Sequence, residues 1–402
     1  MIRFLTAGES HGKELTVIIE GFPSNVPLVK SEIDPELERR QSGYGRGLRM
    51  KIEKDNVELT AGVRYGKTLG SPVAMRIINK DFENWTEVMS AAPLKSKSQK
   101  VTIPRPGHAD LTGTQKYNYD DIRNSIERSS ARETAARVAA GAAAKSLLRQ
   151  FGISVGSFVE SIGGIYPGES ALKNLLNLYD PEIMGIDQLS RIADNSEVRV
   201  LDEKQEQKII RKIKAAKKNG DTLGGTVIIA ANGVPPGLGS FAQYDRRIDA
   251  SLSAAMMSVH AIKGVEIGAG FDAADKFGSE VHDEIIFEKN NFSRKTNRAG
   301  GIEGGITNGL PVIIRAAMKP IATLMQPIES VDLKTMSTVD ARRERSDFTA
   351  VPACAVICEA MTAWVMADFM IQKFGGDSLE EMKDNYDTYL KKLVPRVKKN
   401  FR

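Results

Sequence analysis

The sequence predicts an α+β fold, a β-α-β sandwich built as one domain from two related halves, and three observations predict it. The stretch from Glu127 to Gly152 sets a basic, serine-containing start directly onto a long run of Ala and Gly, and so small-faced a helix suits a buried central position. Several segments of the first part of the chain recur in the second, in the same order and with unequal insertions. A chain of 402 residues that is 41% hydrophobic can bury a large core, and its length is compatible with one large domain or a few small ones. The halves are expected at about 1–160 and 220–375, with a C-terminal helix and basic tail over 376–402, and the whole of 1–402 is read as a single domain.

In chain order, Ile2 to Ala7 reads as a strand, and Leu15 to Ile19 as a second one ending in the turn Gly21-Phe22-Pro23. Ser31 and Asp34 are expected to cap a short helix that ends in Arg39-Arg40. A glycine-rich loop with Arg46 and Arg49 follows. Gly66-Lys67-Thr68 resembles the end of a phosphate-cradling loop, but that motif needs glycine where Ala61 stands and a long helix afterwards, so it is rejected. Val73 to Ile78 reads as a strand, residues 80–100 as a polar excursion, and Pro104 to Gly107 as a rigid turn presenting His108. Ser130 followed by Glu133 has the spacing of a capping box, which starts the central helix near Ala131.

Gly163-Gly164 reads as a hinge and Asp202 to Lys218 as an amphipathic helix. Then the echoes begin. Gly225-Thr-Val-Ile-Ile with Gly233-Val234-Pro235 repeats Leu15-Thr-Val-Ile-Ile with its turn, and Gly305 to Arg315 repeats Gly66 to Arg76. Arg345-Ser346, leading to a helix that ends near Gly375, repeats Arg128-Ser129, leading to one that ends at Gly152. Asp347 then stands where the first half has Ser130. Residues 298–305 read as a flexible glycine loop long enough to cover a site, and Lys319 to Thr323 as a cationic turn. Phe348 to Met370 is largely apolar, with Pro352 acceptable in a first helical turn.

The composition excludes several classes. No apolar run is expected to reach the roughly 20 residues of a membrane span, and the N-terminus lacks the apolar core of a signal peptide, so the chain is read as cytoplasmic. Cys354 and Cys358, the only cysteines, lie one helical turn apart in apolar surroundings, a spacing for packing rather than for metal. A formal charge of +5 is mild. The placement of the arginines therefore has to identify the partner. Four of them, at 39, 40, 46 and 49, flank a loop whose glycines let backbone approach a ligand, and Arg128 and Arg132 stand at a helix head. Guanidinium forks grip carboxylate and phosphate through paired hydrogen bonds, and a helix start adds unpaired N–H groups. The dipole itself contributes only about 0.3–1 kcal/mol, so the arginines carry the binding. His11 and His108, each on a glycine turn, can donate a proton near neutral pH. A carboxylate at Asp347 is either an N-cap or a catalytic base.

Five groups of residues, spread over nearly the whole chain, resemble the signatures of the chorismate synthase family: Gly8-Glu9-Ser10-His11-Gly12 with Glu20-Gly21-Phe22-Pro23, Arg105-Pro106-Gly107-His108-Ala109-Asp110, Arg128 to Thr134, Lys263 to Gly268, and Arg345-Ser346-Asp347 with Glu359-Ala360. The resemblance implies long helices between antiparallel sheets. It implies a lyase of the shikimate pathway that makes chorismate and phosphate from 5-enolpyruvylshikimate 3-phosphate by 1,4-elimination, requiring reduced FMN without net redox change.

Residue by residue, the resemblance implies that His11 serves the leaving phosphate as acid, that His108 acts on the flavin near N1, and that Asp347 helps remove the substrate proton through flavin N5. It assigns substrate binding to Ser10, Arg40, Arg46, Arg49, Arg105, Arg132 and Arg345. It assigns FMN binding to Arg128, Ser129, Ser130, His260, Ala261, Gly304, Lys319, Pro320, Ile321, Ala322, Thr323 and Arg345. His260 replaces an amide found in some members, and Phe348 a smaller residue. The resemblance also implies a homotetramer. No insertion suggests a reductase module, so reduced flavin is expected from an external flavin reductase, with NADPH as an indirect reductant. The rival reading is a protein that binds nucleic acid or another anion through the arginine loops; it predicts steep salt dependence and tolerance to loss of both histidines.

Overall fold

The computed structural model describes residues 2–47, 54–93, 99–168, 171–177, 185–343 and 347–400. Two four-stranded antiparallel sheets enclose a layer of helices. The first is built from β1 (Arg3–Ala7), β2 (Glu14–Glu20), β3 (Val57–Ala61) and β4 (Val73–Ile78), in the order β1-β2-β4-β3. The second is built from β5 (Ser154–Ile162), β6 (Gly225–Asn232), β7 (Ile262–Ile267) and β8 (Val312–Met318), in the order β5-β6-β8-β7. The two orders are the same when read strand for strand. The segments that echo each other in sequence, β2 with β6 and β4 with β8, therefore hold equivalent central places.

Among the described residues, the α-helices of seven residues or more are α1 (Lys30–Gln41), α2 (Asp110–Tyr117), α3 (Arg123–Ser129), α4 (Thr134–Arg149), α5 (Ala171–Asn177), α6 (Ile186–Asp194), α7 (Glu203–Lys218), α8 (Ile248–Met257), α9 (Val351–Phe374) and α10 (Leu379–Asn400). In β2, Leu15, Val17 and Ile19 point inward while Ile18 and Glu20 face out, the alternation of a sheet covered on one side. In β6, Val227 to Ala231 are all buried. There the outer face carries its own small core, Ile228, Ala230, Phe158 and Ile313, roofed by Leu172 and Leu176 of α5 and Ile186 and Ala193 of α6. One continuous core joins both sheets to α4 and α9.

The two long helices pack at van der Waals limit. A Cβ on Gly141 of α4 would lie 2.4 Å from the Cβ of Ala360 on α9, so only glycine permits this approach. Their C-terminal ends meet the same ring, with Phe151 and Phe374 at 5.2 and 5.1 Å from Tyr386 of α10. Beside the crossing lies a buried charge cluster. Glu359 of α9 accepts two hydrogen bonds from Arg39 of α1 (2.7 and 3.1 Å), one from Lys145 of α4 and one from Ser157 of β5 (2.5 Å). Burial opposes its ionisation, but Lys145, Arg39 and Arg199 hold the carboxyl well below the ordinary range.

Several expectations need correcting. The central helix begins at Thr134, after a short 3-10 turn at Ala131–Glu133, and no reciprocal capping box forms. Ser130 Oγ accepts from Arg132 N, and Ser130 is at once the C-cap of α3; Glu133 is instead engaged by Thr6 Oγ1 (2.7 Å) and Arg137 Nε (2.8 Å). Ser31 and Asp34 do not cap α1, whose N-cap is Val29; Asp34 instead accepts the backbone N–H of Val57 (2.8 Å). Gly163-Gly164 is a tight turn with both φ positive rather than a hinge. Residues 298–305 are no flexible cover: Asp283 accepts the N–H groups of Arg298 and Ala299 (2.8 and 2.9 Å), Ile302 is buried, and Ile302–Glu303 pairs with Ile306–Thr307. Finally, α9 is by length and composition apolar enough to cross a membrane, contrary to expectation, but 94% of its apolar window is buried among the sheets and helices.

Candidate active site

The site gathers at the N-terminal ends of the two long helices. His11 lies on the turn between β1 and β2. Gly8 opens that turn at φ 110°, where a Cβ would meet Glu14 O at 2.3 Å. Asn79 at the end of β4 clamps it by donating to Gly12 O (2.7 Å) and Glu9 O (3.2 Å). Both carboxylate oxygens of buried Glu127 lie 3.0 Å from His11 Nδ1, and Glu127 Oε2 also accepts the His11 backbone N–H (2.8 Å). Trp85 covers the ring at 4.1 Å between centroids, so the polar excursion 80–93 supplies a wall of the site.

His108 is held in the same way. Its Nδ1 pairs with Asp110, which is fully buried and also receives Arg105 N (3.0 Å), Nε (2.9 Å) and Nη2 (3.1 Å). Burial opposes ionisation of Asp110, yet His108 and Arg105 hold it well below the ordinary carboxylate range. Arg105, expected to bind substrate, is therefore engaged in fixing the His108 turn, and its Nη1 reaches Thr323 Oγ1 (3.2 Å). Lys319 Nζ donates to Gly107 O, and Lys319 N to Ala261 O (3.0 Å). The segments 319–323, 260–261 and 105–110 thus adjoin one another.

His260 sits beneath them with Nδ1 buried and without a hydrogen-bond partner. Burial lowers it to about 4, with Glu133 opposing and Arg137, His108 and Arg40 adding to the effect. Ala261 takes a positive φ of 67°, a strained conformation for a residue with a Cβ. A buried nitrogen with no partner, a strained backbone and a nearby lysine form a set of donors and acceptors suited to the ring and phosphate of a flavin. Ser130 Oγ donates to Ser10 Oγ (3.0 Å), Ser129 is engaged with Ser125 O (2.6 Å), and Arg128 grips β1 through Thr6 O (2.9 Å) and Gly8 O (3.3 Å). Gly304 lies in the 302–307 hairpin, away from any described contact with the histidines.

The arginines form the other wall. Arg132 Nη1 is 2.7 Å from both oxygens of Asp55, and its Nε donates to Asn79 Oδ1 (2.8 Å). Arg40 donates to Thr134 Oγ1 (2.9 Å), Ala131 O (3.0 Å) and Asp55 (3.4 Å). Burial lowers Arg40 to about 10, Asp55 opposing while Arg132 and Arg46 assist, so it stays cationic at neutral pH. Asp347 accepts from Gly47 N (2.5 Å) and forms an ion pair with Arg46 Nη1 (3.2 Å), and it too lies within the field of Arg40. The heads of both repeated helices, with the glycine loop between them, therefore converge on one cationic cluster. Arg49 and Arg345 lie outside the described residues. Phe348 is accommodated, its N–H bonding to Gly45 O (2.9 Å) and its ring packing on the core.

Glu127, Asp55, Asn79 and Trp85 received no role from the sequence. Glu127 opens the motif before Arg128 and could have been suspected from it; Asp55, in an ordinary polar run, gave no signal.

Comparison with known proteins follows this geometry. The chain matches the family model described as Chorismate synthase over residues 2–371. It is 53% identical over 401 residues to a chorismate synthase of Chlorobaculum tepidum, covering 99% of this chain and 100% of that one. It is 50% identical over 394 residues to chorismate synthase 1 of Bacillus cereus, covering 96% and 98%. A crystal structure of chorismate synthase superposes with a TM-score of 0.80 at 43% identity, covering 98% of each chain.

Proposed function

Because the chain belongs to the chorismate synthase family, we propose that it is the lyase converting 5-enolpyruvylshikimate 3-phosphate to chorismate and phosphate by 1,4-elimination. The observation that carries this reading is the meeting of two carboxylate-backed histidines with Asp347 and a buried cluster of arginines. A substrate with two carboxylates and a phosphate needs several fixed cations of forked shape, which Arg40, Arg46 and Arg132 provide, with Arg49 and Arg345 assigned by resemblance. Ser10 and Ser130 offer hydroxyls beside them.

His11 gives a proton to the departing phosphate oxygen as the carbon–oxygen bond breaks, and Asp347 takes up the proton lost from the substrate ring. His108, held by Asp110, sits on the turn that Arg105 and Lys319 tie to the segment 319–323, and it stabilises charge on that side. Reduced FMN, when bound, supplies the electron density that eases loss of the leaving group, and it is regained unchanged. His260, Ala261, Lys319 to Thr323 and Arg128 to Ser130 are the residues that would hold it, with Gly304 carried from the resemblance alone. The reading extends to a cytoplasmic homotetramer, visible in sedimentation as about four times the 43.9 kDa chain, and to reduced flavin delivered by an external reductase, with NADPH acting indirectly.

The test is an anaerobic assay with dithionite-reduced FMN and the enolpyruvyl substrate, following chorismate. His11→Ala, His108→Ala and Asp347→Asn should each lower turnover at least about tenfold, a bound set below the roughly 10²–10⁴-fold that a positioned acid or base contributes, with circular dichroism unchanged. Near-normal turnover in all three would remove the assignment of roles. Replacing dithionite by NADPH should give no chorismate until a flavin reductase is added.

A further inference from the structure

His11 and His108 share an arrangement that the chemistry of the phosphate and flavin does not by itself require. Each imidazole Nδ1 faces a buried carboxylate, and each carboxylate is gripped by an arginine: Glu127 by Arg123 Nη1 (3.1 Å) and Asp110 by Arg105. Around His11 the control is tighter than a single contact. Glu127 holds the ring through Nδ1 and the backbone through His11 N–H, and its own carbonyl accepts Ser10 N–H (3.0 Å). Trp85 lies against the ring face, and the Arg123 guanidinium lies 4.9 Å from the Trp85 centroid. The ring and backbone of His11 are thus referred to the Glu127 side chain on helix α3, the adjacent serine to the Glu127 carbonyl, and the ring plane to Trp85.

A carboxylate has no proton to donate when ionised, so the nitrogen facing it must be the one that carries a hydrogen. Burial disfavours the charged form of Glu127, but the hydrogen bond and charge of His11, with Arg123, hold its carboxyl below the ordinary value. It is therefore ionised at neutral pH. Nδ1 is then protonated in both states of the ring, and Nε2 is left as the atom that gains and loses the mobile proton.

We propose that Glu127 is a positioning residue for the elimination, fixing the tautomer and orientation of His11 so that Nε2 delivers its proton to the leaving phosphate oxygen. The step balances simply: the carbon–oxygen bond breaks with its electron pair going to oxygen, the Nε2 proton follows, and the neutral imidazole is recharged by water before the next turnover. The inference rests on the reading of His11 as the acid, so its test must separate the two.

The measurement is steady-state turnover of the holoenzyme with reduced FMN for Glu127→Gln, Glu127→Asp and His11→Ala. Glu127→Gln keeps size and a hydrogen-bonding oxygen but lacks the charge and can present an N–H to Nδ1, which favours the wrong tautomer. Its kcat should fall at least tenfold with KM for substrate within about threefold of the parent, and Glu127→Asp should recover part of the loss. An unchanged kcat in Glu127→Gln, with only the melting temperature lowered, would reduce Glu127 to a structural brace while leaving the role of His11 intact. An unchanged kcat in His11→Ala would instead remove the acid and the inference with it. Should the Glu127 variants not fold, ¹⁵N spectra of the four imidazoles in the parent protein decide: neutral His11 must show hydrogen on Nδ1, and hydrogen on Nε2 overturns the proposal.

Discussion

His260 shows how much a single buried ring can couple a fold to pH. Its folded value of about 4 lies below the ordinary 6.5, chiefly through burial, so between those limits the unfolded chain binds the extra proton. Stability from this residue is complete above about pH 6.5 and is lost as pH falls toward 4. At 1.36 kcal/mol per unit the loss between pH 7 and 5 is about 2 kcal/mol. Urea unfolding at those two pH values should show that His260→Gln removes about that much of the decline; equal declines in parent and variant would refute it. Nothing in Val259-His260-Ala261 announces burial, which is why the sequence left the role of this histidine open. The same holds for Asp55 and Trp85, whose partners Arg132 and His11 lie 77 and 74 positions away. His11 and His108 beside glycine, Arg40 at the end of α1 and Asp347 before a helix head were legible as candidates because their neighbours restrict where the side chain can be.

At the scale of elements, apolar patterns and their echoes located β1, β2, β4, β6 and β8 and the amphipathic helix ending at Lys218, but not β3, β5 or β7. Helix starts were less legible, because whether Ser130 begins a helix depends on what packs behind it. The Ala/Gly composition of α4 proved to reflect its contact with α9. Gly141→Ala should push the helices apart against Ala360, at a cost of about 1–3 kcal/mol for an overpacked core. Because Arg132 precedes one helix and Asp347 the other, the same change should also lower kcat, whereas an alanine that left both melting temperature and kcat unaltered would show that the crossing tolerates a methyl group. The interpretation of residues 298–305 as a cover failed because their glycines serve positive-φ turns tied to Asp283 and Asn297 rather than mobility.

For the molecule as a whole, the repeated strand order suggests two halves that could each stand alone, but the core does not divide that way. β5, α1, α4 and α9 all place a side chain on Glu359 or its partners. A calorimetric scan should therefore give one transition whose calorimetric and van't Hoff enthalpies agree, and two separated peaks would contradict it. The charge cluster also bears on the route by which the chain is assembled. Arg39, Lys145 and Glu359 become available in that order during synthesis, separated by long stretches of sequence. Until the last arrives, the first half holds the two cations against a single carboxylate, Glu36 of α1, which both contact (2.6 and 2.8 Å). An early intermediate that buries this trio leaves one positive charge uncompensated, at a cost of several kcal/mol. The first half is thereby discouraged from closing its core prematurely, and the final docking of α9 acts as the checkpoint that makes completion of the fold a single event.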